Sequence, residues 1–422
     1  MAIDIISRIQ NRRGLYADLP AELAEGELGF TLDTRELFIG NSPGYGNNTQ
    51  VLTEYSPNDQ LITTKYQNSN ANLTSSTPRT LQSKLNDFAS IKDFGAMGDG
   101  VTDDAPAINA AISQLLKGYP ESGNLAVTLY FPPGTYLIDS PILLYPFLRL
   151  QGAGVNCTKI LAKTGTSMQF MLQTADSLGQ TQANIGLNGA TIPQSIQISD
   201  FYISTNNQLI SAFNIVRYKN VYIANCYIVG GWNSLIPIGN DSAIDLQSIG
   251  NAFSPSYLRA YNLGMQNFSN AALVKDPVQN TSFLFCIFTD LNRGINTNTP
   301  NYGGPVKVSV TNSQFLSITD YAIYNASSDS FVSTNNIFTT TGGIYWASSS
   351  TKNVSMGDVF SLLPGVTDAG STSSIIIDPG QTNFSGGGGT SGYSGYSGAN
   401  GGFLTAGNYV VRGYLSSDQT IT

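Results

Sequence analysis

Asp241 and Asp245 stand four residues apart and form the best carboxylate pair in the body of the chain. Glycoside hydrolysis needs two carboxyl groups, one of them held protonated, at a separation that sets the stereochemical course. The same pair also reads as ordinary solvated loop acids. An eliminative mechanism would instead set an Arg or Lys base beside a cation held by several acids. Arg217, Arg259 and Lys275 are present, but no acid cluster accompanies them. Trp232, Tyr257, Tyr261 and Trp346 could lay ring faces on the C–H surfaces of sugars, or they could pack between strands or subunits. Near the start, Arg12 and Arg13 offer a contact for an acidic partner, or else a solvated basic pair. Asp99, Asp103 and Asp104 crowd one short stretch, and turn formation with helix capping accounts for them better than a cation site does. Gly152-Ala153-Gly154 lacks the further Gly and the Lys of a phosphate loop. No metal and no cofactor is expected.

Composition narrows the chemistry further. The 422 residues contain no histidine, which removes Ser-His-Asp and Cys-His nucleophile systems, His-ligated zinc and the usual proton shuttle near neutrality. The last glutamate is Glu121, so acid–base chemistry beyond it falls to Asp, Lys, Arg or Tyr. Lys plus Arg is 20 against 28 Asp plus Glu, a net charge of −8 without a basic cluster, which argues against nucleic acid as a partner. Charged residues are only 11% of the chain, against roughly 25% in ordinary globular proteins. Part of so uncharged a surface is expected to be buried between chains. Cys157, Cys226 and Cys286 are far apart and unpaired in spacing, which predicts three small buried hydrophobes. The opening MAIDIISRIQNRR carries Asp4 and is expected not to act as a secretory signal, and no run approaches the roughly 18 apolar residues of a membrane span. Synthesis in a cytoplasm without membrane insertion is expected.

The elements that must position these groups follow from periodicity. Residues 1–55 form a first unit, in which 27–32 alternates with period two and 37–39 resumes after a turn, the pattern of a hairpin. Residues 56–90 are polar and read as a linker. A second unit, 91–380, opens with a Gly- and Asp-rich turn and one amphipathic helix. Thr102 or Asp103 caps that helix, Ile108, Ile112, Leu115 and Leu116 form its apolar face, and Gly118 stops it. Short β runs follow, with a degenerate repeat of apolar-x-apolar-x-Asn/Asp-x-x-apolar. It is anchored at Asp200, Asn225, Asn262, Asn312, Asn335 and Asp358, and a degenerate copy at Phe285 has lost its Asn. The residues three positions on are Ile203, Ile228, Met265, Phe288, Phe315 and Phe338, while Phe360 comes one position early. Strands too short to bury a face alone, recurring at a period in the low twenties, predict a β-solenoid of about a dozen coils with corner asparagines bonded to one another. An insertion around Trp232 to Tyr257 is expected to loop out. Residues 381–402 carry Gly every third position from Gly389, a collagen-like register or a flexible linker, and 403–422 begin a further β segment.

Asp93-Phe94-Gly95-Ala96-Met97-Gly98-Asp99-Gly100-Val101-Thr102-Asp103-Asp104, with 131–136 and 150–154, resembles the N-terminal part of pectate-lyase-like right-handed β-helix proteins. The resemblance implies an all-β fold, a right-handed parallel β-helix, but not an activity, because that fold serves lyases, hydrolases, epimerases and adhesins alike. Residues 9–14, 26–30, 33–34 and 37–40 resemble the N-terminal attachment module of bacteriophage tail fibres and tailspikes, and the GYSGYSG tract is similar to linkers in such fibres. Together these resemblances imply a homotrimeric virion tail component. Residues 1–55 would meet tail, baseplate or adaptor proteins, and the β-helix would meet bacterial surface polysaccharide. A depolymerase cutting capsule or lipopolysaccharide, a secreted pectinase, and a structural spacer carrying a distal receptor domain remain as alternatives. The missing secretory signal and the fibre-like start count against the pectinase.

Overall fold

The computed structural model describes residues 11–41, 48–51, 63–64, 79–80, 88–116, 127–176, 194–216, 218–239, 241–247, 257–275, 278–297, 306–339, 342–361, 365–369, 371 and 375–377. The helix stop at Gly118, most of the linker 56–90, and the tail segments 381–402 and 403–422 lie outside these residues. Internal contacts divide the chain into Met1–Ala89 and Ser90–Thr422.

In the first unit, strands Leu28–Thr31 and Leu37–Ile39 pair antiparallel, with Phe30 opposite Leu37. Asn11–Gly14 adds on one side in parallel and Thr49–Val51 on the other in antiparallel fashion. Residue types explain the turn. Thr31 Oγ1 accepts from the Glu36 N–H at 2.9 Å, and Thr34 donates to Glu36 at 2.8 Å. Only glycine fits at position 40, because a Cβ there would come within 1.9 Å of the Ala24 carbonyl oxygen.

The second unit is a right-handed parallel β-helix built from three sheets. Sheet A has eleven strands, from the short Ala89–Ser90 beside Val127–Phe131 to Ile375–Ile377. Sheet B has ten strands, from Asp99–Asp103 to Val359–Phe360, and sheet C has nine, from Ile142–Leu144 to Val366–Asp368. Each coil passes from A to B to C. Like residues stack on like down the interior. Phe213, Ile244, Ala272, Ile295, Ile323, Ile344 and Val366 stand in register along sheet C, all buried. In sheet B the column expected from the repeat is present. Phe288, Phe315, Phe338 and Phe360 stack face to face at 4.4, 4.7 and 4.5 Å between centroids.

The corner from A to B is one residue in the left-handed conformation. Asp200, Asn225, Asn262, Phe285, Asn312 and Asn335 all have φ between 50° and 71°. Asn and Asp tolerate this region better than other side chains do. The amide ladder forms over three coils, with Asn262 Nδ2 donating to Asn225 Oδ1 at 2.9 Å and Asn225 Nδ2 to Asp200 Oδ1 at 3.3 Å. A second ladder, unread in the sequence, lies buried past sheet C. There Thr297 Oγ1 donates to Asn325 Oδ1 at 2.7 Å, and Asn325 Nδ2 donates to Asn353 Oδ1 at 2.8 Å.

The helix α1 (Ala105–Leu116) covers the first coil, packing on Val127–Phe131 and Ile142–Leu144. Asp103 caps its start through the Ala105 N–H at 3.2 Å, and its buried face is Ala105, Ile108, Ala111 and Ile112. Leu115 and Leu116 are only half-buried, so the apolar stripe is narrower than the spacing predicted. Asn109 seals the sheet edge, accepting from Leu143 N–H and donating to the Pro141 carbonyl, both at 2.9 Å.

Two expectations change. The insertion does not loop out as one piece, because Ser242–Gln247 supplies a rung of sheet C, with Ile244 and Leu246 completing its interior column. Cys226 and Cys286 are buried, and burial pushes both thiols up to about 12. Cys157, however, is exposed, since it lies in the turn closed by its own N–H to the Gly154 carbonyl.

Candidate functional site

Sheet C carries a second column, of polar and aromatic residues, in which Asn214, Asp245, Leu273 and Asn296 are buried and Tyr324 and Tyr345 are half-buried. Asn214, Asp245, Leu273, Asn296, Tyr324 and Tyr345 follow one another in register, coil by coil. Asp245 and Tyr324 are three rungs apart, roughly 14 Å at about 4.8 Å per rung. Two clusters occupy this column.

The first centres on Asp245. It is not a loop acid; it sits within a strand and is buried, with its Oδ2 accepting from Lys275 Nζ at 2.7 Å. Its Oδ1 is buried without a hydrogen-bond partner among the described residues. Burial raises the Asp245 carboxyl above its ordinary range, and the Lys275 ammonium opposes the rise. A buried carboxyl with unspent acceptor capacity beside one cation marks a candidate functional group.

The second cluster is built on Arg293. Asp320 Oδ2 accepts from its Nε at 2.6 Å, and the guanidinium lies 3.9 Å over the Tyr324 ring. Tyr345 stacks on Tyr324 at 5.1 Å with planes 7° apart, and Tyr321 leans on both. Asp320 and the tyrosine face orient the guanidinium while leaving its outer nitrogens for a further acceptor. Such a fork suits a carboxylate, sulfate or phosphate. Sequence reasoning missed these residues. Tyr324 and Tyr345 stand one coil apart, a signal that becomes legible once the register is known.

The remaining candidates fall elsewhere. Asp241 is committed to the fold, since Ser269 donates to it from N–H at 3.0 Å and from Oγ at 2.6 Å, fixing the loop before the sheet C strand. Trp232 is 4% exposed and Trp346 is 0% exposed, so neither ring face is open to a sugar on this chain. Tyr257 and Tyr261 are open, at 39% and 40%. Arg12 donates from Nε to Glu27 at 2.6 Å, while Glu27 also accepts from the Ala24 N–H; Arg12 therefore braces the first sheet. Those bonds hold the Glu27 carboxyl below its ordinary range. Arg13, next along the strand, is exposed. Asp99 serves the Val101 and Thr102 N–H groups, Asp103 those of Ala105 and Asp139, and buried Asp104 those of Met97 and Gly98. All three acids therefore hold the turn that leads into α1.

Comparison with known proteins bears on this architecture. Residues 9–41 match the Major tropism determinant N-terminal domain. Among curated proteins, a probable glucan endo-1,3-beta-glucosidase of Arthroderma benhamiae is 44% identical over 78 residues, which is 18% of this chain and 9% of that protein. The mannuronan C5-epimerase AlgE3 of Azotobacter vinelandii is 33% identical over 108 residues, 24% of this chain and 6% of that one. The chain thus spans less than a tenth of either relative. Among solved structures, ORF18 of Geobacillus virus E2 is 16% identical and covers 90% of this chain and 70% of its own, with a TM-score of 0.48. Tailspike protein 3 of bacteriophage CBA120 is 16% identical and covers 85% and 64%, with a TM-score of 0.47. Residues 88–345, well over half of the chain and most of its coils, match the model of rhamnogalacturonase A/epimerase, pectate lyase-like proteins, and the chain belongs to that family.

Proposed function

We propose that the chain is a bacteriophage tail fibre or tailspike that attaches to a bacterial surface polysaccharide along the outer face of sheet C. The observation that carries this reading is the braced Arg293 guanidinium beside the stacked rings of Tyr324 and Tyr345. A fixed cation next to aromatic faces meets both the anionic groups and the C–H surfaces of a sugar chain. The match of residues 9–41 to a tropism-determinant domain supports a place on the virion tail, with residues 1–55 meeting tail, baseplate or adaptor proteins. Exposed Arg13 is the better basic contact there, because Arg12 already serves Glu27. A homotrimer accords with a charge content of 11%, since a mixed Ser/Thr/Asn surface can pack between chains. Tyr257 and Tyr261 would extend the glycan contacts.

Asp245 favours a second reading, a capsule or lipopolysaccharide depolymerase acting on the same face. Its raised carboxyl suits a general acid. Incubating the purified protein with host polysaccharide and analysing the glycan by mass spectrometry separates the readings. Intact glycan that co-elutes with the protein supports attachment. Discrete oligosaccharides support a depolymerase, and the gain or absence of water at the new ends distinguishes hydrolase from lyase. Glycan that is neither cut nor bound counts against both and favours a structural spacer.

A further inference from the structure

The A-to-B corner repeats one backbone conformation coil after coil, and at one coil a residue occupies it at a cost. Phe285 holds φ at 55° between Asn262 and Asn312 in the same ladder of turns. The register is set by the Asn262 N–H donating to the Leu284 carbonyl and the Phe285 N–H to the Thr311 carbonyl. A bulky side chain in the left-handed region is strained, and such strain persists where something else requires the residue. Burial does not supply that requirement, because Phe285 is 48% exposed. Its ring instead stands nearly perpendicular to that of Tyr261, at 78° and 5.6 Å between centroids, so the two make an open corner.

Phe285 also interrupts the amide ladder. Asn262 Nδ2 donates to Asn225, and Phe285 offers no amide to the next place. Among the described residues, the Asn262 Oδ1 has no hydrogen-bond partner as a result, and the exposed Asn312 amide on the other side, unbonded also to Asn335, has none either. An aromatic corner is thus flanked on one side by a free acceptor and on the other by a free amide.

We infer that this corner is a sugar-binding subsite, separate from the face of sheet C, in which a hexose ring rests its C–H face on Phe285 and its edge on Tyr261. Hydroxyl groups at the rim of that ring reach Asn262 Oδ1 and the Asn312 amide. The inference rests on the reading that the protein binds surface polysaccharide and extends it to a second ridge. A neighbouring subunit is the competing occupant, and it would leave both amides to be satisfied across an apolar contact.

Phe285→Asn separates these possibilities because it restores the corner residue used in the neighbouring coils. The probe is an array of purified bacterial capsular and O-chain polysaccharides, followed by titration of the one best retained. The variant should unfold at a higher temperature than the natural chain and bind that polysaccharide about tenfold more weakly, the scale of one lost aromatic contact. Arg293→Gln serves as the control on sheet C. Equal retention by Phe285→Asn overturns the inference, and if Arg293→Gln alone loses binding, attachment along sheet C stands without this subsite. An unfolding temperature that fails to rise removes the strain argument and the inference with it. A change of oligomeric state in sedimentation assigns the corner to subunit contact and overturns it. If the natural chain retains no polysaccharide, this subsite and the broader reading fall together.

Discussion

Gly357 stands where Asn335 stands one coil earlier. Both adopt the left-handed conformation, with φ of 72° and 55°, and a Cβ on Gly357 would lie 2.4 Å from the Asn335 Oδ1. The repeat therefore turns at Gly357, and Asp358 occupies the interior place held by Asn336 in the previous coil. There Asp358 Oδ1 accepts from the Asn336 N–H at 2.8 Å and from Asn336 Nδ2 at 3.0 Å, and its Oδ2 accepts from Ser355 Oγ at 2.8 Å. Phe360, three beyond the turn, then falls into the phenylalanine stack without any early step.

The first prediction concerns Asp358. Burial raises its carboxyl above the ordinary 3.8, and hydrogen bonds from Ser333, Asn336 and Ser355 oppose the rise. The folded state thus favours the neutral acid. Its contribution to stability is fully present below 3.8 and is lost as pH climbs through the raised folded value. Asp358→Asn keeps an acceptor for Asn336, gives Ser355 a donor and has no charge to bury. Unfolding temperatures of the natural chain and the variant should diverge as pH rises above 3.8, with the variant the more stable at the upper end. Curves that stay parallel would show that Asp358 does not carry the effect.

The phenylalanine stack supplies the second. Phe315 is sandwiched between Phe288 and Phe338, with planes 2° and 5° from parallel, and is fully buried. Phe315→Ala removes a ring from both contacts and leaves a cavity, a loss of about 3–5 kcal/mol. Because coils contact mainly their neighbours, the loss should be local. Amide hydrogen exchange should accelerate over residues 283–338 before it changes over 129–162. Uniform acceleration along the whole helix would contradict nearest-neighbour stacking.

How far the fold was legible follows from where its signal lies. The A-to-B corner is legible because one backbone conformation selects Asn or Asp, and the apolar residue three places on marks the interior of sheet B. The C-to-A corner is not legible in this way, since Thr297 follows one sheet C strand, Asn325 ends the next, and Asn353 precedes a sheet A strand, so the three share no local pattern. Their common place appears only once the strands are in register. The acids at 99, 103 and 104 were readable as capping groups because each has backbone N–H groups within a few residues. Arg293, Asp320, Tyr321 and Tyr324 were not readable, because a site on a coil face gathers residues from successive coils and leaves no local motif. The tryptophans misled for the opposite reason. Their type suits a sugar platform, but an isolated aromatic carries no mark of whether its face is covered.

Asp245 and Lys275 allow a third prediction. The ammonium approaches to 2.7 Å and is the carboxylate's charge partner. Lys275→Gln removes the cation that opposes the rise of the buried Asp245 carboxyl and should destabilise at neutral pH, less so as pH falls and the carboxyl takes up a proton. Asp245→Asn should cost less, because the remaining Lys275 is one-third exposed and can reach water. The double variant should recover most of the loss seen in Lys275→Gln. Thermal unfolding of the four proteins measures the coupling, and additive losses would show that the pair does not act together. If the polysaccharide is cut, Asp245→Asn should abolish cutting while the protein remains folded.

Arg293 separates charge from geometry. Arg293→Lys keeps the positive charge, but it gives up the planar fork and the flat contact over Tyr324, 3.9 Å away in the natural chain. If a point charge were sufficient for binding, the lysine variant would retain the polysaccharide with little change. The arrangement with Asp320 and Tyr324 predicts otherwise. Arg293→Lys should weaken binding about tenfold, nearly as much as Arg293→Gln, because an ammonium can neither stack on the ring nor present two parallel donors. Raising the salt concentration should weaken the natural complex and narrow its lead over Arg293→Gln, since that lead is partly ionic. Tyr324→Phe tests the other half of the contact. It keeps the ring face and removes only the hydroxyl, so retention by Tyr324→Phe with loss in Tyr324→Ala would locate the contribution in the stacked face.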